Sequence, residues 1–174
     1  MATNTIPEMI NNFNVYNAGN ALIGLSDEVA LAELSALTET LSGPGVLGEI
    51  EVNAIGHFGS MEQEIPFRIL EEDIFSLANP LETLELTLRA SEQSTVKSTG
   101  NISFKGMRVV FRGKVKNFVP GKVKAGTQMG ASVTLEVHYI LIEIDGARKL
   151  ELDKLNEVYK VNDVDLLAEV KKYI

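Results

Sequence analysis

Apolar and polar side chains alternate along most of this chain of 174 residues. Leu84, Leu86 and Leu88 alternate with charged or polar neighbours, and residues 107–115 repeat the pattern. A period of two is typical of strands with one buried face and one solvated face. We therefore predict a mainly β (α+β) chain of antiparallel strands, whose length suits a single domain over residues 1–174.

Glycine, proline and asparagine interrupt this alternation in the first third of the chain. The sequence NAGN at residues 17–20 lies between runs at residues 14–18 and 21–26 and predicts a tight β-hairpin. Residues 29–34 continue the apolar rhythm and predict a further strand. Residues 41–48 contain three glycines and a proline, so we predict an exposed loop there.

The most hydrophobic strand is predicted at residues 132–144. Its odd positions from 133 to 141 are apolar on one face and positions 140, 142 and 144 on the other, so its second half should be buried on both sides. Asp145-Gly146 predicts a hairpin to a partner strand at residues 148–153. We also predict a short helix at residues 71–79 and a C-terminal amphipathic helix after Asn162.

Charge is divided unevenly along the chain. Nine carboxylates and no Lys or Arg precede Arg68, whereas residues 93–135 hold eight cationic side chains and no carboxylate. Two interpretations follow: both blocks are solvated strand faces, or they are complementary surfaces on neighbouring copies. The formal net charge of -8 argues against nucleic acid as a bulk partner.

No group of residues predicts catalysis, a cofactor or a metal ion. The chain has no cysteine, which excludes disulfides and thiolate chemistry. Gly43, Gly45 and Gly48 have the spacing of a dinucleotide-binding loop, but a strand with two carboxylates follows them instead of a helix. His57 and His138 are isolated, and we expect His138 to be solvated or interfacial. We therefore predict that the chain is not an enzyme.

Two further features bear on the class of protein. The acidic triplet at residues 71–73 is explained by the dipole of the predicted helix better than by a metal site. The cations at positions 108, 112, 114 and 116 share one strand face and leave a nucleic-acid-binding β module as an alternative, but no tryptophan is present for base stacking. The chain contains no signal peptide or long apolar run, so we expect no membrane anchor.

Several motifs, in this order and spacing, resemble the major tail tube protein family of contractile-tailed (P2-like) bacteriophages and phage-tail-like bacteriocins. They are NVYNAG at residues 14–19, Gly24, VALAEL at 29–34, GPG at 43–45, MRVVFRGK at 107–114, IDG at 144–146, ELDKLN at 151–156 and VNDVD at 161–165. Two positions depart from the family pattern. Ala32 stands where relatives often have proline, and Asp163 stands where glycine is common.

The resemblance implies an antiparallel β-sandwich or barrel-like tail tube fold that forms hexameric rings stacked into a hollow tube. It implies a structural subunit in the virion tail, or in an extracellular bacteriocin-type particle, assembled in the bacterial host cytoplasm. The implied partners are other copies of the chain, the tail sheath protein, the baseplate and tail terminator proteins, and a tape-measure protein or DNA in the lumen. A DNA-free bacteriocin or secretion-type injection device is the alternative, because both need the same ring-forming surfaces.

The resemblance also suggests roles for named residues. An inter-ring loop at about residues 41–59 would include Leu41, Gly43, Pro44, Gly45 and Gly48. The candidate lumen residues are Glu49, Glu51, Glu62 and Glu64. The candidate intersubunit or sheath-facing residues are Arg108, Arg112, Lys114 and Lys116.

Overall fold

The computed structural model describes residues 4–174, which contain eleven strands and two short helices. The elements are β1 Thr5–Asn17, β2 Asn20–Ala21, β3 Ala36–Ser42, β4 Glu49–Phe58, β5 Glu62–Phe67, α1 Glu72–Ser76, β6 Leu84–Val96, β7 Ile102–Val119, β8 Ala131–Ile144, β9 Ala147–Asp153, β10 Val158–Val161, β11 Val164–Asp165 and α2 Ala168–Lys171. The prediction of a mainly β chain with a short internal helix and a C-terminal helix is confirmed.

One antiparallel sheet holds nine of the strands found within residues 4–174. Its order is β11-β10-β9-β8-β7-β6-β1-β2, and β5 pairs with β8 outside this path. The two remaining strands, β3 and β4, form a separate hairpin. The sheet is open, since no pairing among the described strands closes it into a barrel.

The core lies against the inward faces of β5 to β8. Phe67, Leu86, Phe111 and Leu135 are all fully buried there. Helix α1 covers one end of this core through the buried side chains of Ile74 and Leu77, which the predicted helical spacing placed on one face. Each such side chain contributes about 1.5 to 3 kcal/mol by leaving water.

A β-bulge in β8 changes which side chains reach the core. Tyr139 pairs with Arg112 while Val137 pairs with Gly113, so His138 is an extra residue between the two pairs. The single apolar face predicted for odd positions from 133 to 141 is therefore wrong beyond Val137. After the bulge Ile140 joins the core, and Tyr139 packs on the other face in a small cluster with Val110 and Leu141. Burial of both faces in this half of the strand is confirmed.

Three hairpins turn through two consecutive residues with positive φ, as type I′ turns require. The predicted turns use Ala18 and Gly19 (φ 48° and 87°) and Asp145 and Gly146 (53° and 75°). A third, at Asn162 and Asp163 (50° and 63°), joins β10 to β11 and was not predicted. The C-terminal helix accordingly begins later than expected, at Ala168.

The predicted strand at residues 29–34 is absent from the described structure, where this segment is extended but unpaired along its backbone. The side chain of Gln63, fully buried on β5, holds it in place. Its Oε1 accepts a hydrogen bond from the N–H of Ala32 at 2.9 Å, and its Nε2 donates to the carbonyl of Ala30 at 2.7 Å. A side-chain amide thus replaces a β-ladder here.

Candidate assembly surfaces

The β3–β4 hairpin is exposed along most of its length. Leu41 pairs with Ile50 and Glu39 with Val52, so these four side chains share one face. Its three apolar members are between 44% and 49% exposed, and none belongs to the buried core. The exposed Leu37 precedes them, at a register shift between Ala36 and Thr38. This apolar hairpin face, defined by Leu41, Ile50 and Val52, is unpartnered within residues 4–174.

The opposite face of the hairpin is polar. Glu49 and Glu51 project there beside Ser42, Thr40 and Asn53, and all of these residues are exposed. Two of the four candidate lumen carboxylates therefore lie together on one surface, back to back with the apolar hairpin face. The hairpin contains three carboxylates and no Lys or Arg.

The tip of the hairpin is the glycine-rich turn at residues 43–48. Gly43, Gly45 and Gly48 have φ values of 135°, 92° and 105°, which side-chain-bearing residues rarely adopt. No atom lies within 4 Å of a Cβ built at these glycines, and Leu47 is fully exposed. The predicted exposed loop at residues 41–48 is thus shorter than expected, because β3 extends to Ser42 and residues 49–58 form β4.

Within residues 4–174, the contacts that hold the hairpin to other elements lie near its base. Gly56 (φ 83°) packs against the side chain of Leu167. If residue 56 had a Cβ, that atom would lie 2.6 Å from Cδ2 of Leu167, so a larger residue would clash there. The N–H of Gly59 donates to the carbonyl of Ser35 at 2.9 Å, and the Lys154 ammonium donates to the carbonyl of Gly59. The hairpin is therefore attached at one end and projects from the sheet.

Strand β1 offers a second unpartnered surface, a backbone edge. One side of β1 pairs with β6 along most of its length. On the other side, the pairing seen in residues 4–174 is limited to Tyr16 and Asn17 with β2, plus one hydrogen bond from Leu22 to Val15. On this edge the N–H of Phe13 donates to Oδ1 of Asn12 at 2.8 Å, and the other backbone groups of residues 5–14 form no β-ladder within residues 4–174, so a strand of another molecule could pair there.

The basic residues of β7 lie on the outer face of the sheet, where carboxylates of adjacent strands pair with them. Nε of Arg108 lies 3.1 Å from a carboxylate oxygen of Glu143 on β8. Nε of Arg112 lies 2.6 Å from Glu85 on β6, and its guanidinium covers the ring of Tyr139 at 4.2 Å. The Glu85 carboxylate raises the pKa of Arg112.

Lys116 lies between two carboxylates that face each other across the ladder from β5 to β8. Its ammonium donates to Glu62 and lies 3.3 Å from Glu136. Burial would raise the pKa of Glu136, but hydrogen bonds from Ser60, Lys116 and the backbone N–H of Met61 outweigh it and lower the pKa. Within residues 4–174, Lys114 is the one member of the predicted basic set that forms no ion pair. Part of the charge asymmetry is therefore neutralised inside the subunit.

The isolated histidines and carboxylates do not assemble into a chemical site in the described structure. His57 is exposed; His138 is half-buried, and burial lowers its pKa. The Asp153 carboxylate is buried, but its pKa is lowered because hydrogen bonds from Asn156 and Leu155 outweigh the effect of burial. Residues 4–174 contain no group of three His, Asp or Glu side chains placed to hold a metal ion. They also contain no helix long and apolar enough to span a membrane.

The sheet is open, one of its backbone edges is largely unpaired, and a half-apolar hairpin projects from it. These features are typical of a β-rich subunit that contacts other molecules through its strands. The chain belongs to the phage tail tube protein FII family, whose model matches residues 7–174. It is 25% identical to the tail tube protein of Escherichia phage P2, over 97% of this chain and 98% of that protein. It is 26% identical to the major tail tube protein of Serratia phage KSP20, over 94% and 93%.

Membership of this family confirms the resemblance found in the sequence and identifies the chain as a structural tail tube subunit of a virion tail. The four cations on one face of β7 had suggested nucleic-acid binding as an alternative function. The carboxylates of Glu143, Glu85 and Glu62 already pair with three of these four cations, and phosphates would have to displace them. Phe111 is buried in the core and is not available to stack on a base.

Proposed function

We propose that this chain assembles into hexameric rings that stack to form the inner tube of a contractile phage tail and enclose a channel for DNA ejection. The observation that carries the proposal is the β3–β4 hairpin, which is exposed on both faces and holds an apolar surface that its own chain does not cover. Such a surface is costly in a free subunit and is stabilised by contact with another copy. The hairpin, with the glycines and proline of its tip, is the proposed inter-ring element.

The free edge of β1 supports ring closure. A head-to-tail ring pairs one edge of each subunit with a different edge of the next, which removes open edges without unlimited sheet growth. The proposed ring therefore uses the edge of residues 5–14, which the subunit leaves unpaired.

The two faces of the hairpin support a lumen assignment for its carboxylates. If the apolar hairpin face packs on protein, the polar face with Glu49 and Glu51 is left toward water, and we propose that it lines the channel. Glu62 and Glu64 lie instead on the outer face of the sheet, where Glu62 pairs with Lys116, so the lumen proposal is confined to Glu49 and Glu51. Repeated negative charge would keep DNA or a tape-measure protein mobile in the channel.

The outer sheet face is the proposed surface for the remaining partners. It carries Arg108, Arg112, Lys114 and Lys116, and we propose that the surrounding sheath protein or a neighbouring subunit docks there. Lys114, which is exposed and free of an ion pair within residues 4–174, is the proposed cross-linking position. Baseplate and tail terminator proteins would cap the two ends of the stack.

Negative-stain microscopy of the purified chain tests the proposal. Tubes or six-fold rings of uniform diameter are expected, and Ile50→Asp on the apolar hairpin face should prevent stacking without loss of β-sheet circular dichroism. Asn53→Asp, on the polar face of the same strand, is the matched control and should assemble normally. Monomers at high concentration in the unaltered chain, or normal tubes from Ile50→Asp, would refute the proposal.

A further inference from the structure

A second apolar surface lies on the outer face of the sheet, at the end formed by β1, β6 and β7. In the register of these strands, Met9, Gln93 and Phe104 form one row, and Ile6, Thr95 and Ile102 form the next. The four apolar side chains are between 49% and 59% exposed. We call this surface the arm patch and define it by Ile6, Met9, Ile102 and Phe104.

The polar groups of the arm patch are already satisfied by one another. Glu8 is the extra residue of a β-bulge between Pro7 and Met9 and accepts hydrogen bonds from Gln93, at 2.9 Å, and from Thr95. These hydrogen bonds lower the pKa of Glu8. A molecule that covers the arm patch therefore meets four apolar side chains around a carboxylate that needs no new partner.

We propose that the arm patch of one copy receives the apolar hairpin face of another copy. This inference rests on the proposed tube and names the surface that the projecting hairpin contacts. Both surfaces are β-sheet faces with exposed apolar side chains, three on the hairpin and four on the arm patch, which suits face-to-face packing at about 10 Å between sheets. They lie on different parts of the chain, so each copy offers one of each and the contact is heterologous.

The rim of the arm patch and the hairpin carry opposite charges, whereas the centre of the arm patch holds the Glu8 carboxylate, which is hydrogen-bonded to Gln93 and Thr95. The hairpin carries Glu39, Glu49 and Glu51 and no cation, and Glu39 lies on its apolar face opposite Val52. The arm patch is bordered by Arg89 on the outer face of β6 and by Lys97 in the turn that follows β6. Docking therefore brings an acidic element to a surface with cations at its rim, which favours the correct partner and speeds encounter.

The size of the contact explains why it would operate only within a larger assembly. Each surface exposes apolar area on the order of 300 Å², a size at which patches on monomers are often interaction sites. Together they would bury about 600 Å², below the roughly 1,200 Å² typical of the smallest stable complexes. The contact is thus too small for an isolated dimer and suited to repetition around a ring.

Photo-cross-linking tests the pairing without assuming an orientation. A benzoylphenylalanine replaces Phe104, and tubes of mixed ¹⁵N-labelled and unlabelled copies are irradiated and digested. The expected product joins the Phe104 peptide of one copy to a peptide from residues 36–58 of another. Benzoylphenylalanine at Phe75, another half-exposed aromatic position, is the matched control and should not reach the hairpin.

A second variant measures the strength of the contact. Phe104→Asp should raise the protein concentration required for tube assembly at least about tenfold, because it removes the burial of one large apolar side chain. Val123→Asp, at an exposed position outside the arm patch, should leave that concentration unchanged. If tubes form but Phe104 cross-links elsewhere, the pairing is wrong and the tube proposal stands. If the unaltered chain forms no tubes, both proposals fail.

Discussion

Replacing Gln63 by leucine removes the amide that holds residues 30–32 against β5. The leucine keeps the buried volume and loses three hydrogen bonds, to the N–H of Ala32, the carbonyl of Ala30 and the carbonyl of Glu64. At about 1 kcal/mol per bond the loss is about 3 kcal/mol. The N–H of Ala32 adds to this, because Ala32 is buried and the vacated donor cannot reach water.

Urea unfolding of unassembled protein, followed by far-ultraviolet circular dichroism, measures this loss. We expect Gln63→Leu to lower the free energy of unfolding by about 3 to 4 kcal/mol. Gln93→Leu is the control, because this half-exposed glutamine donates to the Glu8 carboxylate at a site where water can take over the hydrogen bond, and we expect a change below about 1 kcal/mol. Equal effects of the two substitutions would refute the assignment of Gln63 as a buried clamp.

Ala32→Pro sharpens the same test. Proline has no N–H, so the donor that Gln63 satisfies no longer exists. Gln63→Leu should then cost about 1 to 2 kcal/mol less in the Ala32→Pro background than in the unaltered chain. Strain introduced by proline itself cancels in this double-mutant cycle, and additive effects would show that the hydrogen bond contributes nothing.

Three further outcomes are expected from urea or thermal unfolding of unassembled protein. Gly113→Ala should lower the free energy of unfolding by about 1 to 3 kcal/mol, because its Cβ would lie 2.4 Å from the backbone oxygen of Glu136; a neutral effect would contradict this close approach. Lys116→Met should lower stability only slightly, since the ammonium is exposed, and the loss should shrink with added salt, which screens the repulsion between Glu62 and Glu136; a loss that salt does not change would contradict this. Asp153→Asn should flatten the acid side of the pH–stability profile: the pKa of Asp153 is lowered from 3.8, so its contribution is present above about pH 5 and is lost as pH falls below 3.8, and an unchanged profile would contradict this role.

The alternation of apolar residues predicted most of the sheet, because burial on one face imposes a period of two wherever the strand is regular. Leu84, Leu86 and Leu88 follow this rule and lie in β6 as expected. At His138 the rule fails, since a bulge adds one residue to β8 and moves the apolar face from odd to even positions. Residues 139–142 are apolar on both faces of β8, so the sequence contains no polar residue that would reveal the shift in register.

Local turn chemistry was equally informative where glycine was present. The turns at Gly19 and Gly146 were predicted, whereas the turn at Asn162 and Asp163 was missed, because Asp163 adopts a positive φ without glycine. The departure of Asp163 from the family pattern lies in this turn. Asparagine and aspartate tolerate this conformation better than other side chains do.

Long-range contacts account for what the sequence did not indicate about the assembly surfaces. The alternation at residues 29–34 resembles a strand, but Gln63 provides its hydrogen bonds from a distant element, which no local pattern reveals. The pairing of Lys116 with Glu62 likewise depends on the placement of β5 beside β8. The glycines at residues 43–48 did identify the projecting tip, because their positive φ is a local requirement.

Strand β8 borders three other strands, with β7 on one edge and β5 and then β9 on the other, and this has a consequence for the gene. Loss or gain of a single codon within residues 133–142 would turn half of the strand over and place Ile140 and Tyr139 on exchanged faces. Codons for residues 43–48 encode an exposed turn, and a Cβ built at any of its three glycines meets no atom within 4 Å in the described structure. We expect length variation among descendants of this gene to accumulate at that turn and to be rare in β8.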